Sequence, residues 1–161
     1  MLTQEQLKEL FDYDAATGHL IWKVDRGTNK MKGKIAGYVN VQGYRDVSVN
    51  RVIYREHRII WMWHFGKMPL LEIDHINSNK SDNRIENLRK ANRSENGQNI
   101  KKAQLNNKIG FLGVYKSKNK WRARIQVNCK KIHIGLFDTP EEAHQAYLAK
   151  KRELHPFGVF A

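Results

Sequence analysis

Cysteine is almost missing: Cys129 stands alone in 161 residues, so no intramolecular disulfide can form. That fits a reducing compartment, and a cytoplasmic location is expected. Lacking a nearby base or a second thiol, Cys129 reads as an inert strand or turn residue, not a nucleophile. The histidines include no pair with zinc-ligand spacing, which argues against a zinc site. No apolar run is long enough to cross a bilayer, and the opening MLTQEQLKELFDYD has neither a basic n-region nor an apolar core. No membrane partner is therefore expected. Internal repeats and low-complexity tracts are also absent. Acid is missing from one long stretch: Asn96 through Phe137 holds no Asp or Glu, while Lys101, Lys102, Lys108, Lys116, Lys118, Lys120, Arg122, Arg124, Lys130 and Lys131 fall within it.

Against these gaps the chain has 29 Lys+Arg and 16 Asp+Glu, a formal charge of +13, which is the footprint of a polyanion binder. The chemistry concentrates in LLEIDHINSNKSDNRIENLRKANRSENGQN. An Asp-His pair, Asp74-His75, is followed by Asn83, Asn87 and Asn96. A hard cation needs oxygen ligands, and hydrolysis beside it needs a base that titrates near neutrality; Asp and Asn supply the first and His the second. LLEIDHI reads as a short strand, NSNKSDN as a polar loop, RIENLRKA as a second extended run, and Ser94 as the cap of a helix from about Glu95 to Lys102. An isolated Asp-His is ordinarily just an exposed polar pair, and Asn-rich stretches are ordinarily turns. The whole series IDHI, DNRIENL, SEN is far less expected by chance.

This series resembles the HNH nuclease motif, the ββα-metal fold, in the subgroup whose third signature residue is Asn. The resemblance implies that Asp74 and Asn96 match the metal ligands, His75 the general base, and Asn87 the residue that orients the base, directly or by shaping the loop. Asn83 also lies between His75 and Asn96 and is read as a loop residue that turns the chain. The implied cofactor is one Mg²⁺ or Mn²⁺ per site, and the implied reaction is in-line attack of water on a phosphodiester. His57-Arg58 resembles pairs found in that subgroup, which makes Arg58 a candidate phosphate contact, with a purely structural arginine the equal alternative. Arg84, Arg93, Lys101 and Lys102 join it as candidate DNA contacts.

The acid-free stretch is patterned. In WRARIQV, Trp121, Ala123, Ile125 and Val127 alternate with Arg122, Arg124 and Gln126, the period of a strand with one apolar and one basic face. KIHIGLF repeats the alternation, with Ile132, Ile134 and Leu136 on one side and Lys131 and His133 on the other. With GVYK, residues 113–116, these predict a three-stranded antiparallel sheet. In DTPEEAHQAYLAKKREL, Thr139 caps a helix, Pro140 takes its first position, Glu142 completes a capping box, and Lys150, Lys151 and Arg152 suit its C-terminal end. Ala143, Ala146, Tyr147 and Leu154 fall near one stripe of that helix. GVY, KWRARI and IGLFDTPEEAHQAY resemble the Apetala-2 (ethylene-response-factor-type) DNA-binding domain, whose exposed sheet face enters the major groove. The resemblance nominates Tyr115, Lys116, Lys118, Arg122, Arg124 and Gln126, with Lys120 and His133 beside them. Arg124 departs from the plant pattern, where an acid is common, so the target sequence does not carry over.

In the first seventy residues, Thr3 opens a T-x-x-Q capping box with Leu2 and Leu7 placed as a staple, predicting a helix through about Phe11. FDYDAATGHLIWK reads as a hairpin around Thr17-Gly18, and GYVNVQGYRDVSV as another pair of strands. HRIIWMWHFG reads as a helix ended by Gly66, with Ile59, Met62 and Trp63 in the core. The expected fold class is α+β: a mixed nuclease unit over 1–101, its ββα-metal core at about 71–101, then a reader of three antiparallel strands on one helix over 108–161. The pairing resembles the free-standing homing-type endonucleases of phages. The implied partner is double-stranded DNA, and the implied setting is the host cytoplasm. No obligate protein partner is expected; one site should nick, and a double-strand break would need a homodimer or a second pass. Two rivals remain open: a non-catalytic DNA-binding regulator that keeps the scaffold, and a nuclease for RNA or junctions whose basic sheet follows shape.

Overall fold

A computed structural model describes residues 2–99, 107, 109–128 and 130–158. The chain divides into two compact units, Met1–Ala91 and Asn92–Ala161. Both are α+β, built from small antiparallel sheets and short helices.

In the first unit, α1 (Gln4–Leu10) is opened by Thr3, whose side chain accepts from Gln6 while the Gln6 side chain bonds back to the Thr3 backbone. The hairpin β1 (Phe11–Asp14) and β2 (His19–Trp22) follows. Gly18 in its turn has φ +73°, a left-handed conformation that glycine takes without a Cβ clash. Strands β3 (Tyr38–Val39), β4 (Arg45–Val49) and β5 (Val52–Arg55) form a second sheet. The predicted pair of strands is thus a sheet of three. The last two are joined through Asn50 and Arg51, both at positive φ, 49° and 65°. Because that turn contains no glycine and β5 runs directly into α2 (Glu56–Phe65), neither usual boundary signal marks β5. Gly66 ends α2 at φ 74°. His57 and Arg58 belong to the first turn of α2, which begins one residue earlier than HRIIWMWHFG, at Glu56. Strands β6 (Glu72–His75) and β7 (Leu88–Ala91) pair antiparallel, Asp74 opposite Arg89 and His75 opposite Leu88. The expected single extended run RIENLRKA is split: Ile85–Asn87 forms a 3-10 turn before β7 begins. Leu7, Phe11, Leu20, Trp22, Val47, Ile59, Ile60, Met62, Ile73 and Leu88 share one core, so α2 and the β6–β7 hairpin are fixed against the first sheets.

The second unit opens with α3 (Arg93–Gln98). Its N-cap is Asn92, not Ser94: the Asn92 side chain accepts from the Glu95 amide and Glu95 closes the box. Asn92-x-x-Glu95 is itself a capping box, which places the helix start two residues earlier than expected. Lys101, Lys102, Lys108 and Cys129 lie outside the described residues. Strands β8 (Val114–Ser117), β9 (Lys120–Val127) and β10 (Lys130–Phe137) make a meander in the order β10-β9-β8, covered by α4 (Pro140–Leu154). Thr139, Pro140 and Glu142 form the predicted cap. Val114, Ala123 and Ala143 are the buried centre, with Trp121, Ile134, Phe137 and Tyr147 packed around them. At Gly113, φ +73°, any Cβ would collide with the Tyr147 ring, so the close approach of chain and helix depends on that glycine. The expected facing of β10 fails as well. The register of β10 shifts between His133 and Gly135, a bulge, and the extra residue reverses the alternation beyond it. Leu136, expected inward, is 50% exposed, and Phe137 packs inward instead.

Candidate active site

Asp74 and His75 end β6, and both are buried, at 6% and 4% exposure. The Asp74 carboxylate faces its cross-strand neighbour: Arg89 donates Nε and Nη2 to Asp74 Oδ2 at 2.9 and 2.7 Å. His75 Nε2 lies 2.9 Å from Asn83 Oδ1. Asn83 is wholly buried and its Nδ2 donates to Glu56 Oε2 at 2.8 Å. Glu56, also wholly buried at the start of α2, accepts Arg45 Nε on the same oxygen at 2.9 Å and the Leu20 amide on Oε1 at 3.2 Å. Four segments far apart in sequence therefore converge behind the His75 ring.

Asn87 holds the loop, and it is Asn83 that meets Nε2 of the ring. Asn87 Oδ1 accepts the Asn77 amide at 2.9 Å, and Nδ2 donates to Asn77 Oδ1 at 3.1 Å and to the Asp82 carbonyl at 2.7 Å. Asn77 and Asn79 fold the same loop through short side-chain contacts to the Asn79 and Ser81 amides, which explains its asparagine richness. The β1–β2 hairpin braces the loop from outside. The Tyr13 hydroxyl accepts the Ile85 amide at 2.9 Å. A Cβ on Gly18 would fall 2.6 Å from the Asn83 carbonyl carbon.

Burial pulls the His75 pKa below 6.5, opposed by the Asn83 hydrogen bond and by the charges of Asp74 and Asp82. Such a ring is neutral at physiological pH and able to accept a proton. His57 packs edge to face on it, ring centres 5.0 Å apart, and Tyr44 lies 6.0 Å away. Arg55 and Lys80 stand over Tyr44 at 4.9 and 4.8 Å, so cationic groups rim this cluster.

The candidate DNA contacts sort by geometry. Arg58 donates to the carbonyls of Pro69 and Leu71 at 2.6 and 3.2 Å, tying α2 to the approach of β6. Arg84 forks onto Asp82 at 2.8 and 2.6 Å, and holds that carboxyl down at a pKa of about 2. Arg93 is exposed on α3, and Asn96 is half-buried one turn along. In the second unit, strand alternation puts Tyr115, Lys120, Arg122, Arg124, Gln126 and His133 on the face away from α4. Arg124 lies 4.4 Å over the Tyr115 ring, Arg122 reaches Ser117 Oγ at 3.3 Å, and Lys120 pairs with Asp138 at 2.9 Å. Lys116 is on the other face, opposite Trp121 and 4.3 Å over its ring. Lys118, at φ 53°, is in the β8–β9 turn.

Among the described residues no three His, Cys, Asp or Glu side chains are grouped to hold a metal. A hard ion of the Mg²⁺ type is commonly held by one or two carboxylates together with waters and substrate phosphate. Asp74, whose Oδ2 is shared with Arg89, is a carboxylate that could serve there. Sequence reasoning passed over Glu56 and Arg45 and named His57 only as the neighbour of Arg58, because nothing local in YREHRII sets apart a helix-opening glutamate that faces inward. Asn83 carried a signal, an asparagine inside DNRIENL, but was read as a turn residue.

A family model described as HNH endonuclease matches residues 54–98, from the end of β5 through α3. The strand, strand and helix order of β6, β7 and α3 within that stretch fits the ββα-metal motif. Comparison with curated proteins and with solved structures gives no match. No helix among the described residues is long and apolar enough to cross a membrane.

Proposed function

We propose that this chain is a metal-dependent DNA endonuclease in which His75 is the general base. The observation that carries the reading is the buried His75 ring held at 2.9 Å by Asn83, inside the stretch matched by the HNH family. Its depressed pKa keeps the ring neutral, so it can take a proton from an attacking water. Asp74 anchors the divalent ion, Mg²⁺ or Mn²⁺, and Asn96 enters as its second oxygen donor by its position in the motif. When bound, the ion would offset charge that develops on the phosphate and leaving oxygen. Asn87 acts by shaping the loop. The outer face of β8–β10 supplies a basic surface for duplex DNA, with Arg122, Arg124 and Gln126 toward base edges and Lys118 toward phosphate. A homing-type, phage-encoded enzyme working in a host cytoplasm is the biological setting that suits a nuclease joined to an Apetala-2-like reader, the two functional divisions lying near 1–101 and 108–161. Supercoiled plasmid incubated with the protein in Mg²⁺, Mn²⁺ or EDTA tests this. Relaxed or linear product is expected with metal only. His75→Ala should slow cleavage by about two to four orders of magnitude with DNA affinity nearly kept. Full activity in EDTA, or in the variant, would overturn it.

A further inference from the structure

Glu56 is the most deeply buried acidic side chain among the described residues, at 0% exposure. A buried carboxylate is a poor way to stabilise a core, since its desolvation is only recovered by good partners. Here those partners come from three segments: Arg45, Asn83 and the Leu20 amide. Arg45 is itself held, Nη2 donating to the Ala36 carbonyl at 2.9 Å.

The chain of donors has a direction. An ionised carboxylate only accepts, so Asn83 must turn its Nδ2 toward Glu56, which leaves Oδ1 toward His75. An amide oxygen also only accepts, so the ring nitrogen that meets it, Nε2, must carry a hydrogen. In the neutral ring the lone pair then belongs to Nδ1. Turning the Asn83 amide over would set two acceptors against each other at the Glu56 contact, in a site with no exposed surface.

We infer that Glu56 and Asn83 are positioning residues that hold neutral His75 as the Nε2–H tautomer and so reserve Nδ1 as the nitrogen that takes a proton. The catalytic consequence rests on His75 being the general base; the tautomer itself does not. Arg45 fixes the carboxylate, the carboxylate fixes the amide, and the amide fixes the ring. Neither Glu56 nor Asn83 need touch substrate.

Ring-nitrogen NMR of the full-length, nitrogen-labelled protein reads the tautomer directly, near pH 8 where an imidazole is neutral. The His75 signals are assigned by their loss in His75→Ala. Wild type should show Nε2–H over Nδ1–H by at least about tenfold. Glu56→Gln puts an amide NH₂ against either Arg45 and Asn83 or the Leu20 amide, and should reduce that ratio several-fold by letting Asn83 turn over. Asn83→Ala removes the acceptor and should move the ratio the same way. The amide spectrum of each sample reports folding, so if Glu56→Gln does not fold, wild type and Asn83→Ala decide. A predominant Nδ1–H form in wild type, or an unchanged ratio in the folded variants, would overturn the inference. On plasmid, folded variants should lose roughly 10–100-fold in kcat with KM within about twofold, as supporting partners of a working His usually do. Unimpaired cleavage by His75→Ala would sink the nuclease reading alone and leave the NMR result standing.

Discussion

Replacing His57 by Phe should remove much of the acid sensitivity of the first unit. His57 is 6% exposed, and its Nδ1 has no hydrogen-bond partner among the described residues. Burial, then the neighbouring His75, Arg58 and Arg55 charges, push its pKa from 6.5 down to about 3. The folded protein therefore keeps this ring neutral, while the unfolded chain takes up a proton below about pH 6.5. Stability is fully present above that value and is lost as the pH falls toward 3, because only the unfolded state gains the proton. Each pH unit in this window costs about 1.4 kcal/mol, so wild type should lose about 2 kcal/mol through His57 alone between pH 7.5 and pH 5, approaching about 5 kcal/mol near pH 3. Phe keeps a ring against Tyr44 and His75 and has no titrating nitrogen. Urea unfolding of both proteins at several pH values between 7.5 and 5 measures the effect. The stability difference should widen in favour of the variant by about 2 kcal/mol across that range. A constant difference would mean that the ring takes up its proton equally in the folded and unfolded protein, and the reasoning would fail.

Asp74→Ala should raise the metal concentration for half-maximal cleavage far more than Asn96→Ala does, since only the first removes fixed negative charge; unchanged midpoints in both would cancel these assignments. Gly18→Ala should cost about 2–4 kcal/mol in unfolding experiments, because φ is +73° and the new Cβ meets the backbone at Asn83 and Arg84. Near-wild-type stability would show that the β1–β2 turn does not brace the loop. Arg124→Ala should cost ~1–3 kcal/mol on a preferred duplex and relax choice at one position, whereas Lys118→Ala should weaken all duplexes alike and reduce the salt slope by about one. Binding curves at several salt concentrations on specific and scrambled duplexes separate the two, and equal losses on both duplexes for Arg124→Ala would mean that the sheet only positions the protein.

Local features were legible in the sequence because their causes lie within a few residues. The boxes at Thr3 and Thr139 join side chains three positions apart, and the alternation in Lys120–Val127 is the strand's own period. The core positions of Ile59 and Met62 follow from helical spacing in the same way. The bulge in β10 was not legible, since a one-residue register change leaves no mark in an alternating string. Glu56 was hidden for a different reason: Leu20, Arg45 and Asn83 lie 36, 11 and 27 residues from it, and only the folded sheets bring them to one point. The pair Asp74-His75 could be picked out as chemistry, but the residue behind the ring could not be chosen between Asn83 and Asn87 without coordinates.

The hydrogen bond from the Leu20 amide to Glu56 makes a strand of the first hairpin a witness to events at the histidine. That amide exchanges with solvent only when it parts from Oε1 of the buried carboxylate, whose other oxygen holds Asn83 and Arg45. Its deuterium protection therefore measures the free energy of parting β2 from the Glu56 carboxylate behind His75, with no substrate, metal or turnover required. Protection equal to that of deep core amides such as Ile60 would describe a ring locked by the global fold. Weaker protection would describe a site that opens on its own.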